Sequence, residues 1–112
     1  MRQWSFRRED GEWLASSIPR ADRNLAAAIE TLVVSFGENW QAIESCLDSW
    51  ARMEQENGFD YSLSTSGAVA RRISEETVEI CDLYDQFEDM RISAAEFVGL
   101  LKALSATMQR EI

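Results

Sequence analysis

Ser93 and Glu96 stand three positions apart, directly ahead of an apolar stripe formed by Phe97, Leu100, Leu101, Leu104 and Met108. A Ser-x-x-Glu capping box satisfies orphan amides at a helix start, and Ile92 and Phe97 are placed as the hydrophobic staple across it. The spacing predicts a helix over 94–110 with one apolar face that other elements must cover. The chain has material for such a cover: 112 residues, 46% of them hydrophobic, with a single proline. A domain of this size buries roughly 60 to 70% of its unfolded surface, so residues 1–112 are read as one domain.

The rest of the pattern changes period along the chain. Trp4 and Phe6 alternate with polar residues, Glu9-Asp10-Gly11 supplies a turn, and Trp13 and Ala15 alternate again toward Ile18-Pro19. This predicts a β-hairpin with an aromatic face. From Asp22, Leu25, Ala28, Ile29, Leu32, Val33 and Phe36 take up three-and-four spacing, with Gly37 in the position of a C-terminal helix glycine. A second helix restarts at Glu38, carries Trp40, Ile43, Leu47, Trp50 and Met53 on one stripe, and stops at Asn57-Gly58. So short a junction leaves two arrangements, an antiparallel helix pair or a sharp turn at Gly37. Tyr61 and Leu63, then Val69 and Ile73, predict two short strands. Thr77 to Phe87 fits both periods and is read as a strand that ends irregularly. The expected class is α+β: an N-terminal β-hairpin, two helices, short antiparallel strands and a C-terminal amphipathic helix packed on one face of the sheet.

Charge and composition exclude several functions. With 11 Lys and Arg against 20 Asp and Glu, the net charge is -9. Polyanions are held by cations that displace counterions, so neither nucleic acid nor an anionic membrane is expected as a partner, and a basic protein is. Histidine is absent, which removes the commonest general base, the commonest zinc ligand and every Ser-His or Cys-His nucleophile. Cys46 and Cys81 form no C-x-x-C pair and are read as small buried hydrophobes of a reducing cytoplasm. The opening residues lack the apolar core of a signal peptide, and no run is long enough to span a bilayer, so a cytoplasmic location is expected. No enzyme activity, cofactor or metal is predicted.

Three constellations remain. Glu75, Glu76, Glu79, Asp82, Asp85, Glu88 and Asp89 form a run with no cation among them; it is either an acidic docking face or a solvated strand and loop. Asp85 to Glu96 counts out like a calcium loop, with Asp85 first, Asp89 fifth, Ser93 ninth and Glu96 twelfth. Phe87 and Met90 break that pattern at its third and sixth positions, and the capping box explains Ser93 and Glu96 without an ion. A small calcium-responsive or adaptor protein with a degenerate loop at 85–96 is the alternative reading. The doublets Arg7-Arg8 and Arg71-Arg72 are read as solvated strand faces paired with nearby acids. Trp4, Trp13, Trp40 and Trp50 fall on apolar faces, whereas Tyr61 and Tyr84, each beside an aspartate, suit the anchor of an interface.

The run from Val78 to Leu101 resembles the C-terminal part of small bacterial immunity proteins of contact-dependent growth inhibition and polymorphic-toxin systems. Those end in a strand, an acidic Tyr-x-x-Phe-Glu/Asp turn and an Ile-Ser-x-x-Glu-Phe helix, matched here by Tyr84 to Glu88 and by Ile92 to Phe97. The resemblance implies a non-catalytic cytoplasmic antidote, a monomer or weak dimer, that binds a cognate toxin domain, often a basic nuclease, and blocks its active site or substrate access. The contact residues expected on that reading are Tyr61, Asp82, Tyr84, Asp85, Glu88 and Asp89.

Overall fold

The computed structural model describes residues 2–65, 67–83 and 87–111 of the protein. Strands β1 (Gln3–Glu9) and β2 (Glu12–Ile18) pair antiparallel, with Glu9 opposite Glu12. Asp10 and Gly11, at φ 52° and 79°, close them in the two-residue turn whose twist matches that of the strands. Trp4, Phe6 and Trp13 are buried on one face, as the alternation predicts.

Asp22 caps α1 (Arg23–Val33), its carboxylate accepting the Leu25 N–H at 2.8 Å, and the predicted stripe from Leu25 to Val33 is buried. A 3-10 turn over Val34–Phe36 takes the last residues expected of this helix, and the chain turns at Gly37, φ 55° and ψ -120°. Only glycine adopts such a conformation freely. Asn39 then caps α2 (Trp40–Asn57), which ends at Gly58. Of the two arrangements open to the sequence, the chain takes the sharp turn: α1 lies on β2 and on the second sheet, whereas α2 packs against the last helix. The Trp13 indole fixes this corner by donating to the Gly37 carbonyl at 2.6 Å.

The second sheet is an antiparallel meander of β3 (Tyr61–Ser64), β4 (Ala68–Arg72), β5 (Thr77–Asp82) and β6 (Met90–Ser93). Tyr61, Ala68, Ala70, Val78, Ile80 and Ile92 turn one face toward the helices and are buried. Small residues let α1 come close here: a Cβ on Gly67 would lie 3.0 Å from the Thr31 methyl. The ambiguous stretch after Thr77 is a strand as far as Asp82. The sequence reading omits β6, because four residues are too few to show a period and Ile92 already served as the helix staple.

Helix α3 (Ala94–Glu111) opens as the capping box requires, the Glu96 N–H donating to the Ser93 hydroxyl at 3.0 Å. Phe97, Leu100, Leu101, Leu104 and Met108 are all buried. The fold is therefore α+β, with its strands divided between a hairpin and a four-stranded sheet, and α3 touches β1 of the first as well as β5 and β6 of the second. No helix among the described residues is long and apolar enough to cross a membrane.

Candidate functional site

Strand β5 divides the acidic run. Glu75 and Glu76 are exposed at the turn that precedes it. Glu79 lies mid-strand and pairs with Arg91 at 3.3 Å. Asp82 ends the strand, and Glu88 and Asp89 follow in the loop to β6. Six residues of extended chain set the two ends roughly 17 to 20 Å apart. What the sequence presents as one continuous face is two separate acidic ends, and only the second gathers several of the predicted contact residues.

Hydrogen bonds tie the described part of that second end to the fold. The Asp82 carboxylate accepts the Phe87 N–H at 2.7 Å. Asn24, in the first turn of α1, grips Glu88 twice: its Oδ1 accepts the Glu88 N–H at 2.8 Å and its Nδ2 donates to the Glu88 carbonyl at 3.0 Å. The side chains of Glu88 and Asp89 are exposed, and neither is in an ion pair among the described residues. Leu83, which follows Asp82, is 49% exposed. Such an arrangement offers carboxylate acceptors to arginine or lysine. Tyr84 and Asp85 lie outside the described residues.

Tyr61 is not part of this end. It pairs with Arg72 on β4, whereas Asp82 pairs with Ala68, four residues or roughly 13 Å further along that strand. Its ring is 6% exposed and packs edge-on against Trp50, with centroids 4.8 Å apart. Its hydroxyl accepts from Arg72 at 2.7 Å. Tyr61 is thus a core residue, not a surface anchor, because the inward parity of β3 carries it under α2.

Arg72 itself corrects the solvated-doublet reading. It is 7% exposed and holds Glu54 at 2.6 Å, the Tyr61 hydroxyl, and the carbonyls of Ser74 and Glu75. Arg71, its neighbour, faces outward and pairs with Asp60 at 2.9 Å. Arg7 does meet Glu9 as expected, at 3.3 Å, whereas Arg8 reaches Glu38 at 3.2 Å and lies over the Trp13 ring.

Glu96, the twelfth position of the calcium-like count, is 5% exposed, and its carboxylate receives the Trp4 indole N–H and the Arg2 guanidinium. Its lone pairs are directed at the hairpin. Among the described residues, no three acidic or cysteine side chains are gathered closely enough to hold a metal ion. Burial pushes the Cys46 thiol up to about 11. Burial, aided by a hydrogen bond to Glu79 and the charges of Asp89 and Glu79, does the same for Cys81. Both are protonated and weakly nucleophilic near neutral pH. Comparison with protein-family models, with curated proteins and with solved structures finds no match.

Proposed function

We propose that this chain is an immunity protein: a non-catalytic cytoplasmic antidote that binds a basic toxin domain and blocks its active site or its access to substrate. The observation that carries this reading is the Asn24 grip on the Glu88 backbone, beside which the exposed Glu88 and Asp89 side chains enter no ion pair among the described residues. Carboxylates presented in this way steer a cationic partner toward one end of the molecule and meet the arginines and lysines that such a partner uses to hold phosphate. Support also comes from the net charge of -9 and from the absence of histidine. The tie from Asn24 to Glu88 matters because a contact made by a pre-set backbone gives up less entropy on binding.

The test is to express the reading frames neighbouring the gene for this chain, one at a time, in a host cell, with and without the chain. One neighbour should arrest growth and the chain should restore it. The doubly reversed Glu88→Lys/Asp89→Lys protein should melt as the parent does, since exposed carboxylates contribute little to folding, and yet fail to restore growth. Absence of any toxic neighbour, or full protection by the doubly reversed protein, would overturn the assignment.

A further inference from the structure

The four-stranded sheet has a second face. Successive residues of a strand point to opposite sides. While Ala68, Ala70, Val78, Ile80 and Ile92 are buried under the helices, Val69, Arg71, Glu79, Cys81 and Arg91 point away from them. Arg71 and Arg91 are exposed there, and Val69, Glu79 and Cys81 are half-buried.

The strand register arranges this face in rows that cross the sheet. In the central row Arg71 lies opposite Glu79, and Glu79 opposite Arg91. Asp60, just ahead of β3, closes the row by accepting from Arg71 at 2.9 Å, and Arg91 meets Glu79 at 3.3 Å. The order across the sheet is therefore acid, base, acid, base. On one side of this row Val69 is paired with Cys81, and on the other the Ile73 N–H donates to the Thr77 carbonyl at 3.0 Å. Charge cancels along the row, although the chain as a whole carries -9. The charges of this face therefore do not themselves oppose a second copy.

Symmetry selects how that copy sits. A two-fold axis between two such faces, running along the strands, reverses the row, so that β4 of each copy faces β5 of the other. Arg71 then faces Glu79 of the second copy, Asp60 faces its Arg91, and Val69 faces its Cys81. An axis running across the strands would instead set each charge on its like. A guanidinium carries five N–H donors, so Arg71 and Arg91 can keep their own carboxylates and also bond those of the second copy. We propose that this chain forms a weak two-fold dimer through the outer face of its four-stranded sheet, with β4 of one copy facing β5 of the other. The area sets the strength: four short strands about 4.8 Å apart offer a few hundred Å², below the roughly 800 Å² per partner of a stable complex. The dimer is therefore populated at roughly 0.1 to 1 mM chain. It uses neither Asn24 nor Glu88, so it and the immunity reading stand or fall separately.

The test follows sedimentation velocity and backbone amide shifts of the full chain from about 0.02 to 1 mM, in about 0.15 M salt, which screens repulsion beyond about 8 Å. Concentration-dependent shifts are expected at Val69, Arg71, Glu79 and Cys81. Arg71→Glu and Glu79→Arg each set like charges face to face at two places, and each should weaken the dimer about tenfold or more. Mixed in equal amounts, the two weakened proteins should regain association, because the reversed position of one then faces the reversed position of the other. If either variant melts lower than the parent, Arg71→Gln and Glu79→Gln take their place, with weakening expected alone and one facing pair recovered on mixing. A parent that stays monomeric at the highest concentration, shifts confined to other surfaces, or a mixture no stronger than its components would each overturn the proposal.

Discussion

The indole N–H of Trp4 donates to the carboxylate of Glu96 at 2.7 Å, joining β1 to the first turn of α3 across 92 positions of sequence. Arg2 reaches the same carboxylate at 3.2 Å from a more exposed position. Trp4→Phe keeps a ring in the hairpin core but removes the buried donor. Arg2 still donates to both oxygens of Glu96, so the loss is that of one hydrogen bond to a charged group, about 1.5 to 3 kcal/mol, expected in urea denaturation. A change below about 0.5 kcal/mol, the scale of an ordinary surface substitution, would show that the indole bond is not a structural latch.

Arg72 spreads one guanidinium over Glu54, Tyr61 and two backbone carbonyls. Lysine keeps the charge but has no planar fork to reach four acceptors at once. Arg72→Lys should therefore lose about 1 to 3 kcal/mol, and Tyr61→Phe, which deletes one partner only, about 1 kcal/mol. Equal melting of Arg72→Lys and the parent would mean that the network is replaceable by water.

Leu101 is 1% exposed on the stripe that α3 turns inward. Leu101→Ala should cost about 2 to 5 kcal/mol, the transfer of the lost methyl groups plus the cavity they leave. Denaturant melts of the two proteins at equal slope test this directly.

Stability should also fall in alkali. The Cys46 thiol, ordinarily at 9.0, is held up to about 11 by burial. A folded-state value above the unfolded one gives a contribution fully present below pH 9, declining as pH rises toward 11, because the unfolded thiol ionises first. Urea midpoints measured from pH 8 to 11 should therefore drop. Cys46→Ala should start from a lower midpoint but decline less steeply, and an unchanged slope would contradict the linkage.

Much of the architecture was legible because it is local. Asp10-Gly11 specifies its turn, and Ser93 with Glu96 and the stripe behind them specify α3, without reference to anything distant. Strand β6 was not legible, since Met90–Ser93 is too short for a period and only its pairing with β5 makes it a strand. The burial of Arg72 carried a signal that the doublet reading passed over. Adjacent residues of a strand face opposite ways, so one of Arg71 and Arg72 had to share the inward parity of Ala68 and Ala70. At the candidate site, both the acidic residues and a strand running through them were visible in sequence; the separation of the two acidic ends follows from the rise of that strand, which the reading of the run as one face passed over. Asn24 was invisible: its partner lies 64 positions away and nothing near it is unusual for a helix start.

The bond between Trp4 and Glu96 also sets an order of events during synthesis. β1 leaves the ribosome before the helix that covers it, which is made about ninety residues later. At roughly 5 to 20 residues per second the hairpin waits several seconds with Trp4, Phe6 and Trp13 lacking their final cover. Closure is thus a non-local step that waits on α3.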